Sequence, residues 1–280
     1  TRLTMTTYSH IQLQQIAQTI YPNSTLLEST PLTGGISAQT ILLHILLSDQ
    51  TSQKVVLRQH GEVDRLQNPN IAQDEFRLLG ILYQSGLPIP KPIHIDTSNA
   101  ILEIPYIILD YIKHDDSMSE VIPYLELVNT LIKIHQVDIH QITFLPNQMD
   151  LLEARLSQKP NDKIRHIHTT LSNLLPQIAL NQKVLLHGDY WLGNLLWRDR
   201  KIIGVIDWED AMLGDPLSDL GKCRLESLWA FGMHGMNTIS AAYLAQMPDI
   251  NQTYLLFWDL WGALRLADFE NWFDDKEKVR

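Results

Sequence analysis

Three short apolar runs separated by polar segments occupy residues 184–206, and they restrict the fold of this region more than any other feature of the chain. The runs are Val184–Leu186, Leu195–Arg198 and 201–206. They are too short for helices and rich in Leu, Ile and Val, which indicates strands. Only Asp199 and Arg200 separate the last two runs, a spacing typical of a β-hairpin. The polar stretch HGDYWLGN (187–194) therefore forms the loop that leads into this hairpin.

The rest of the sequence divides into a β-rich part followed by a helical part. A helix is predicted over 9–20, an antiparallel sheet over 25–59, a helix over 69–85, and strands over 93–95 and 105–111. The nearly continuous apolar run 105–111 favours an interior position in the sheet. Helical patterns then cover 124–135, 150–156, 163–175 and 217–233. We predict an α+β fold with an N-terminal β lobe (1–112) and a larger, mainly helical C-terminal lobe (113–280).

Composition narrows the class of partner and the cellular location. The net charge of −10 disfavours nucleic acid, because binding to a phosphate backbone needs a basic surface. The single cysteine, Cys223, cannot form an intrachain disulfide and favours a reducing compartment. No run approaches the roughly 18 uninterrupted apolar residues of a membrane span. We expect a cytoplasmic protein that binds neither membrane nor nucleic acid, and no obligate protein partner is evident.

The spacing of three polar residues predicts the chemistry. Asn194 lies five positions after Asp189, and Asp207 ends the last apolar run, 13 positions after Asn194. In kinases an Asp of the catalytic loop accepts the proton of the substrate hydroxyl, and an Asn and a later Asp hold magnesium. Magnesium prefers such hard oxygen ligands. The alternative is that these side chains only make turn hydrogen bonds, but the flanking strands and the following IDWEDAMLGDPLSDL favour the functional interpretation.

A family resemblance rests on two longer motifs, VLLHGDYWLGNLLW and IIGVIDWEDAMLGDPLSDLG, with TGGISAQT, VVLRQ and PYIILDYI in the expected order. With these motifs the sequence resembles the aminoglycoside phosphotransferase and choline kinase-like family of small-molecule kinases, from about residue 32 to 220. The resemblance implies a two-lobe, protein-kinase-like fold. It also implies magnesium and ATP as cofactors, with GTP as the alternative nucleotide.

The same resemblance assigns roles around the loop. It implies Asp189 as the catalytic base, and Asn194 and Asp207 as magnesium ligands. His187 is expected to brace the loop without a chemical role. Asp219 either holds the catalytic loop by hydrogen bonds, as the family implies, or caps the helix that begins near it.

Further residues are expected to bind the nucleotide phosphates. The segment 33–37, which includes Gly34, Gly35 and Ser37, resembles a loop that covers phosphates, although a Gly-Gly pair is also a common hairpin turn. Arg58 stands where kinases carry a strand lysine, and its guanidinium keeps the charge with a different geometry. Glu75 is predicted as its ion-pair partner; the alternative is a solvated acid on a helix.

The end of the predicted strand 105–111 is expected to bind adenine. In the family this segment pairs its backbone with the base, so Asp110 and Ile112 are candidates through main-chain atoms. Neither residue type is specific for this role.

The acceptor is predicted to be a small molecule. Only eight residues separate Asp207 from Pro216, too few for the activation segment by which protein kinases bind peptides. Residues 205–275 contain 12 acids, three bases and five of the seven tryptophans, which favours a cationic acceptor such as an amino sugar or amino alcohol. Alternatively, the acids serve magnesium or loop support, and Trp258, Trp261 and Trp272 are core residues.

The sequence also allows an alternative function, and it contains histidine pairs that could suggest a zinc site. A catalytically silent nucleotide-binding regulatory module of the same fold is the alternative function, because Arg58 replaces the usual lysine. The histidine pairs His135/His140 and His166/His168 lack further ligands, so no zinc site is assigned.

Overall fold

The computed structural model describes residues 8–32, 38–115 and 123–267, and these residues form two compact units. The N-terminal unit contains 8–32, 38–115, Leu196–Arg198 and Ile203–Glu209, and the C-terminal unit contains the remaining described residues. The predicted C-terminal lobe (113–280) includes 196–198 and 203–209. Two contacts join them to the N-terminal unit instead. The Val205 N–H donates to the Pro88 carbonyl (2.7 Å), and Gly204 lies so close to Ile112 that an added Cβ would come within 2.9 Å of its side chain.

A five-stranded antiparallel sheet forms the N-terminal unit, with strand order β1-β2-β3-β5-β4. The strands are β1 Thr25–Leu32, β2 Ala38–Leu46, β3 Ser52–His60, β4 Pro92–Asp96 and β5 Tyr106–Asp110. Alternate residues of β2, among them Ile41, Leu43 and Ile45, are buried, as period-2 side-chain alternation requires. β5 lies between β3 and β4, which is the interior position that its apolar sequence predicted.

Three helices belong to this unit: α1 His10–Ile20, α2 Glu62–Gln67 and α3 Ile71–Gln84. α1 begins at Ser9, which forms a capping box with Gln12. Its buried residues Leu13 and Ile16 pack in one core cluster with residues of β2 and β3. α2 was not predicted, because it buries no residue and so has no apolar period in its sequence.

The C-terminal unit is mainly helical. Its helices are α4 Tyr124–His135, α5 Gln148–Ser157, α6 Arg165–Leu174, α7 Pro216–Gln246 and α8 Leu255–Ala267, joined in part by short 3-10 turns. α7 extends beyond the predicted end at Met233, but its regular geometry breaks at Gly232, where φ is 68° and ψ is −170°. Trp258 and Trp261 are buried, so the core alternative was right for both; Trp272 lies outside the described residues.

Short strands frame the polar loop. β6 Val184–Leu186 pairs antiparallel with β9 Met212–Gly214, and β7 Leu195–Arg198 pairs with β8 Lys201–Val205. Asp199 and Arg200 both have positive φ (49° and 62°), which matches the two-residue turn that suits strand twist. The predicted hairpin is thus confirmed, and so is the α+β fold class. None of the described helices is long and apolar enough to cross a membrane.

Candidate active site

Gly188 sets the path of the loop that follows β6. Its φ is +84°, a conformation that side chains other than glycine rarely adopt. An added Cβ would also lie 2.1 Å from the carbonyl oxygen of Asp210. The sequence His-Gly-Asp therefore requires glycine for two independent reasons, and it delivers Asp189 at a fixed position after the turn.

Asp219, on the first turn of α7, holds this loop by its backbone. Its Oδ2 accepts a hydrogen bond from the N–H of His187 (2.7 Å) and its Oδ1 from the N–H of Gly188 (2.9 Å). Burial acts to raise the pKa of Asp219, but the hydrogen bond and charge of His135 lower it below its usual value. The helix cap is Asp215, which accepts from the N–H of Leu217. Of the two predicted roles for Asp219, loop support is right and capping is wrong.

Two more side chains fix the loop. His187 is fully buried, and its Nδ1 accepts from the N–H of Asp189 (3.2 Å), as expected of a brace. Arg265 of α8 donates to the carbonyl of Gly188 (2.6 Å) and forms an ion pair with Asp210 (2.8 Å). Burial acts to lower the pKa of Arg265, but Asp210 and neighbouring carboxylates raise it. Sequence reasoning missed Arg265.

The carboxylate of Asp189 is held at both oxygens. Its Oδ2 accepts from Nδ2 of Asn194 (3.1 Å), and the same amide donates to the Asp189 carbonyl (2.9 Å). Its Oδ1 lies 3.2 Å from Nζ of Lys222, a residue that sequence reasoning also missed. The Asp189 side chain is 30% exposed, so an acceptor can reach it. The amide nitrogen of Asn194 therefore faces Asp189.

A second cluster of charges lies in the N-terminal unit around Arg58. Its Nη2 contacts Asp207 Oδ1 (2.6 Å) and Glu209 Oε2 (2.7 Å), and its Nε contacts Glu75 Oε2 (3.2 Å). The structure thus brings Arg58 together with the predicted partner Glu75, and adds His60, whose Nε2 lies 2.6 Å from the same oxygen. Asp207 has a φ of 69°, uncommon for a residue other than glycine and enriched at functional sites.

The charges of this cluster stabilise one another. Burial acts to raise the pKa of Glu75, but the positive charges of Arg58 and His60 lower it to about 2. Burial acts to lower the pKa of Arg58, and its three carboxylate neighbours raise it instead. The guanidinium and Glu75 are therefore both ionised over the whole physiological range.

The two proposed magnesium ligands, Asn194 and Asp207, suit that ion by their chemistry. Each presents an oxygen, and magnesium needs only one or two carboxylates because it keeps several waters and binds substrate phosphates. Within the described ranges there is no group of three or more His, Cys, Asp or Glu side chains that could hold a metal.

Family membership follows from comparison with known proteins. The sequence model of the "Phosphotransferase enzyme family" matches residues 28–272. The chain belongs to this family.

Relatives of this chain are found among both curated proteins and solved structures. "Acyl-CoA dehydrogenase family member 11" of Rattus norvegicus is 27% identical over 202 residues, which are 64% of this chain and 26% of that protein. The aminoglycoside phosphotransferase APH(4)-Ia, solved with AMP-PNP and hygromycin B, has a TM-score of 0.67 at 17% identity and covers 94% of this chain and 93% of that one. The APH(2")-IIa complex with streptomycin and ATP has a TM-score of 0.63 at 19% identity, covering 98% and 94%. These structures share the fold, which confirms the predicted kinase-like architecture.

The other residues that the sequence predicts at the nucleotide are Gly34, Gly35, Ser37, Asp110 and Ile112. Gly34, Gly35 and Ser37 lie outside the described residues. The N–H of Asp110 donates to the Lys91 carbonyl (2.9 Å), so this amide is already used within the sheet. Ile112 follows β5 outside any strand, and its carbonyl lies 3.1 Å from Nδ1 of His114.

The acidic residues after β8 are mostly paired inside the protein. Of the eight acids at described positions between 205 and 267, seven have partners: Asp207 and Glu209 with Arg58, Asp210 with Arg265, Asp215 with Asn181, Asp219 with the catalytic loop, Glu226 with Lys222, and Asp259 with Arg224. The other four acids, at 268, 270, 274 and 275, lie outside the described residues. Internal contacts thus account for seven of these acids, and the cationic acceptor stays a prediction.

His135 and His140, one of the two histidine pairs considered as metal ligands, make structural contacts. His135 is buried, with Nδ1 2.6 Å from the hydroxyl of Tyr243 and Nε2 3.3 Å from Asp219. His140 is exposed and pairs with Asp138. His135 thus supports Asp219, which binds the loop at His187 and Gly188.

Proposed function

We propose that this protein transfers the γ-phosphoryl group of ATP, with magnesium, to a hydroxyl group of a small molecule. The observation that carries the proposal is the carboxylate of Asp189, which is held at both oxygens on a loop fixed by Asp219 in a member of the phosphotransferase enzyme family. Phosphoryl transfer depends mostly on positioning and on charge neutralisation, so a rigid carboxylate is what this reaction requires.

In the proposed reaction Asp189 orients the acceptor. Its carboxylate accepts a hydrogen bond from the acceptor hydroxyl and takes the proton as the new oxygen–phosphorus bond forms and ADP leaves. Magnesium, held by Asn194 and Asp207, would neutralise charge on the nucleotide phosphates. The loop braces at His187 and Gly188 keep the carboxylate from moving away from the hydroxyl.

In the same proposal the N-terminal unit binds the nucleotide. Arg58 contacts its phosphates through the guanidinium, which Glu75 holds in place. Gly34, Gly35 and Ser37 cover the phosphates, and the backbone near Ile112 contacts adenine. Since Asp110 already uses its N–H within the sheet, we assign the adenine contact to Ile112 rather than to Asp110.

The test is an acceptor screen that follows ADP release. The panel contains aminoglycosides, macrolides, choline, homoserine and sugars. It also contains hydroxylated acyl-CoA thioesters, because curated relatives are named acyl-CoA dehydrogenase family members. The matched control is Asp189→Asn, which keeps the shape of the side chain but cannot accept the proton.

We expect wild-type protein to release ADP with at least one class of acceptor and the Asn variant to release none above background. Nucleotide binding by the variant, measured by titration calorimetry with magnesium, should remain close to that of wild type. Asp189→Asn protein that keeps wild-type turnover would disprove the proposed mechanism. Asp207→Ala should instead weaken nucleotide binding only when magnesium is present.

A catalytically silent nucleotide-binding module is the second candidate function. The favouring observation is that Arg58 engages Asp207 directly, so the carboxylate proposed for magnesium is occupied by a guanidinium. Magnesium-dependent ATP binding without ADP release on any acceptor in the panel would support this candidate against the kinase.

A further inference from the structure

Lys222 of α7 reaches the proposed catalytic base. Its Nζ lies 3.2 Å from Oδ1 of Asp189 and 2.7 Å from Oε1 of Glu226, one helical turn further along α7. Lys222 is buried, with 8% of the residue exposed. Lysine is seldom buried to this degree unless it is paired.

The helix presents two loop-holding residues on one face. Asp219 and Lys222 are three positions apart, a spacing that places side chains next to each other on a helix. Asp219 binds the backbone of the loop at His187 and Gly188. Lys222 binds the carboxylate at the end of the same loop. One turn of α7 therefore fixes both the path of the loop and the direction of its functional group.

Stability alone is a weak explanation for this lysine. Burying an ammonium costs free energy, and pairing it with carboxylates often does no better than an apolar residue of similar size. Glu226 by itself already supplies a partner at the closer distance. The contact to Asp189 instead occupies the one carboxylate oxygen that Asn194 does not hold, so the two donors together prevent rotation about the last side-chain bond.

We infer that Lys222 is a positioning residue for the phosphoryl transfer, which acts by holding the carboxylate of Asp189 toward the acceptor. This inference rests on the proposed function. Glu226 has the supporting task of holding the ammonium between the two carboxylates. Lys222 does not depend on ATP or magnesium for this role, so its effect on the orientation of Asp189 can be observed in the free protein.

The first arm of the test is structural. We expect crystal structures of wild-type protein to keep the contact between Lys222 and Asp189. In Lys222→Met/Glu226→Gln the carboxylate of Asp189 should rotate from its wild-type orientation or occupy several orientations. The double variant avoids leaving two carboxylates beside each other without the ammonium, which would destabilise the fold. An Asp189 side chain that keeps its wild-type orientation in this variant would overturn the inference.

The second arm is kinetic and uses an acceptor found in the screen. Misplacing a reacting group by about 1 Å can cost on the order of 100-fold in rate, so we expect the double variant to lower kcat by roughly 10- to 100-fold. The KM for ATP should stay unchanged, since Lys222 acts only through Asp189. The single variant Lys222→Arg keeps the charge, so its kcat should lie between those of the double variant and the wild type.

A surface pair in the same unit provides the matched control. Lys201 forms an ion pair with Glu126 (3.0 Å), and its side chain is 71% exposed. Lys201→Met should leave kcat and the melting temperature unchanged. If the folded double variant keeps wild-type kcat, Lys222 is only a packing residue and the inference is wrong.

The two arms separate failure of this inference from failure of the proposed function. Wild-type protein without ADP release on any acceptor would contradict the proposed function. In that case the crystal structures still decide whether Lys222 orients Asp189.

Discussion

Replacing Arg58 by methionine should destabilise the protein by about 3 kcal/mol at pH 7. The largest effect is expected at Glu75, which is only 4% exposed. Its pKa is lowered from 4.5 to about 2 by Arg58 and His60, and each pKa unit corresponds to about 1.4 kcal/mol. The ionised carboxylate is thus favoured by about 3 kcal/mol, and the methionine variant removes the guanidinium from beside it. This agrees with the roughly 3–5 kcal/mol lost when one partner of a buried pair is removed.

The other two carboxylates of the cluster reduce this cost. The side chains of Asp207 and Glu209 are 24% and 11% exposed, so water can solvate them in part when the guanidinium is absent. The expected loss therefore lies at the lower end of that range. Arg58→Lys should lose less, about 1–2 kcal/mol, because an ammonium keeps the charge but cannot span Glu75 and the other two carboxylates as the guanidinium does.

Urea unfolding followed by circular dichroism and tryptophan fluorescence measures these free energies. The control is Lys54→Arg on the same strand, an exposed position where the variant keeps a cation over the ring of Tyr111, so the free energy of unfolding should change by less than about 0.5 kcal/mol. Arg58→Met/Glu75→Gln should be more stable than Arg58→Met, because it removes the uncompensated buried charge. A methionine variant as stable as the Lys54 control would refute the reasoning, and so would a double variant that recovers nothing.

Four further predictions concern single features. Because the folded-state pKa of Glu75 is depressed, its stabilisation is complete above about pH 4.5 and is lost as pH falls toward 2; Glu75→Gln should flatten the acid limb of unfolding free energy against pH, and an unchanged limb would contradict the assignment. Gly188→Ala should lower the melting temperature and the rate of ADP release, since its Cβ would lie 2.1 Å from the Asp210 carbonyl; wild-type values for both would show that the loop can relax. Asp219→Asn should cost about 1.5–3 kcal/mol, because hydrogen bonds to a charged acceptor are lost; hydrogen exchange at the two amides it binds should accelerate, and unchanged protection would argue against loop support. Arg200→Gly should raise stability by up to about 1 kcal/mol, because the residue has a φ of 62° in a two-residue turn; a lower melting temperature would contradict this.

Local pattern was sufficient to predict the elements around the catalytic loop. The strand β6, the hairpin of β7 and β8 and the turn at Asp199 depend on neighbouring residues, and their apolar runs are visible in the sequence. The short helix α2 and the three-residue strand β9 were missed for the opposite reason. α2 buries nothing, and β9 is held by its pairing with β6 rather than by a pattern of its own.

Contacts between residues far apart in the sequence could not be predicted in the same way. Lys222 of α7 contacts Asp189, 33 positions earlier in the chain, and Arg265 of α8 contacts Gly188, 77 positions earlier. Nothing in the spacing of a lysine or an arginine identifies a contact that only the packing of helices creates. The number of acids after β8 could not show their internal partners for the same reason, since charge counts do not show which charges are paired.

The break of α7 at Gly232 has a consequence for redesign of this enzyme family member. The segment before the break carries Asp219 and Lys222, whose contacts fix the catalytic loop. The segment after it continues for 14 residues to Gln246 with its own helical geometry. The second segment still supports the loop at one position, because the hydroxyl of Tyr243 lies 2.6 Å from Nδ1 of His135, and His135 contacts Asp219. Libraries of variants should therefore vary the exposed positions of the second segment and leave Tyr243 and the first segment unchanged.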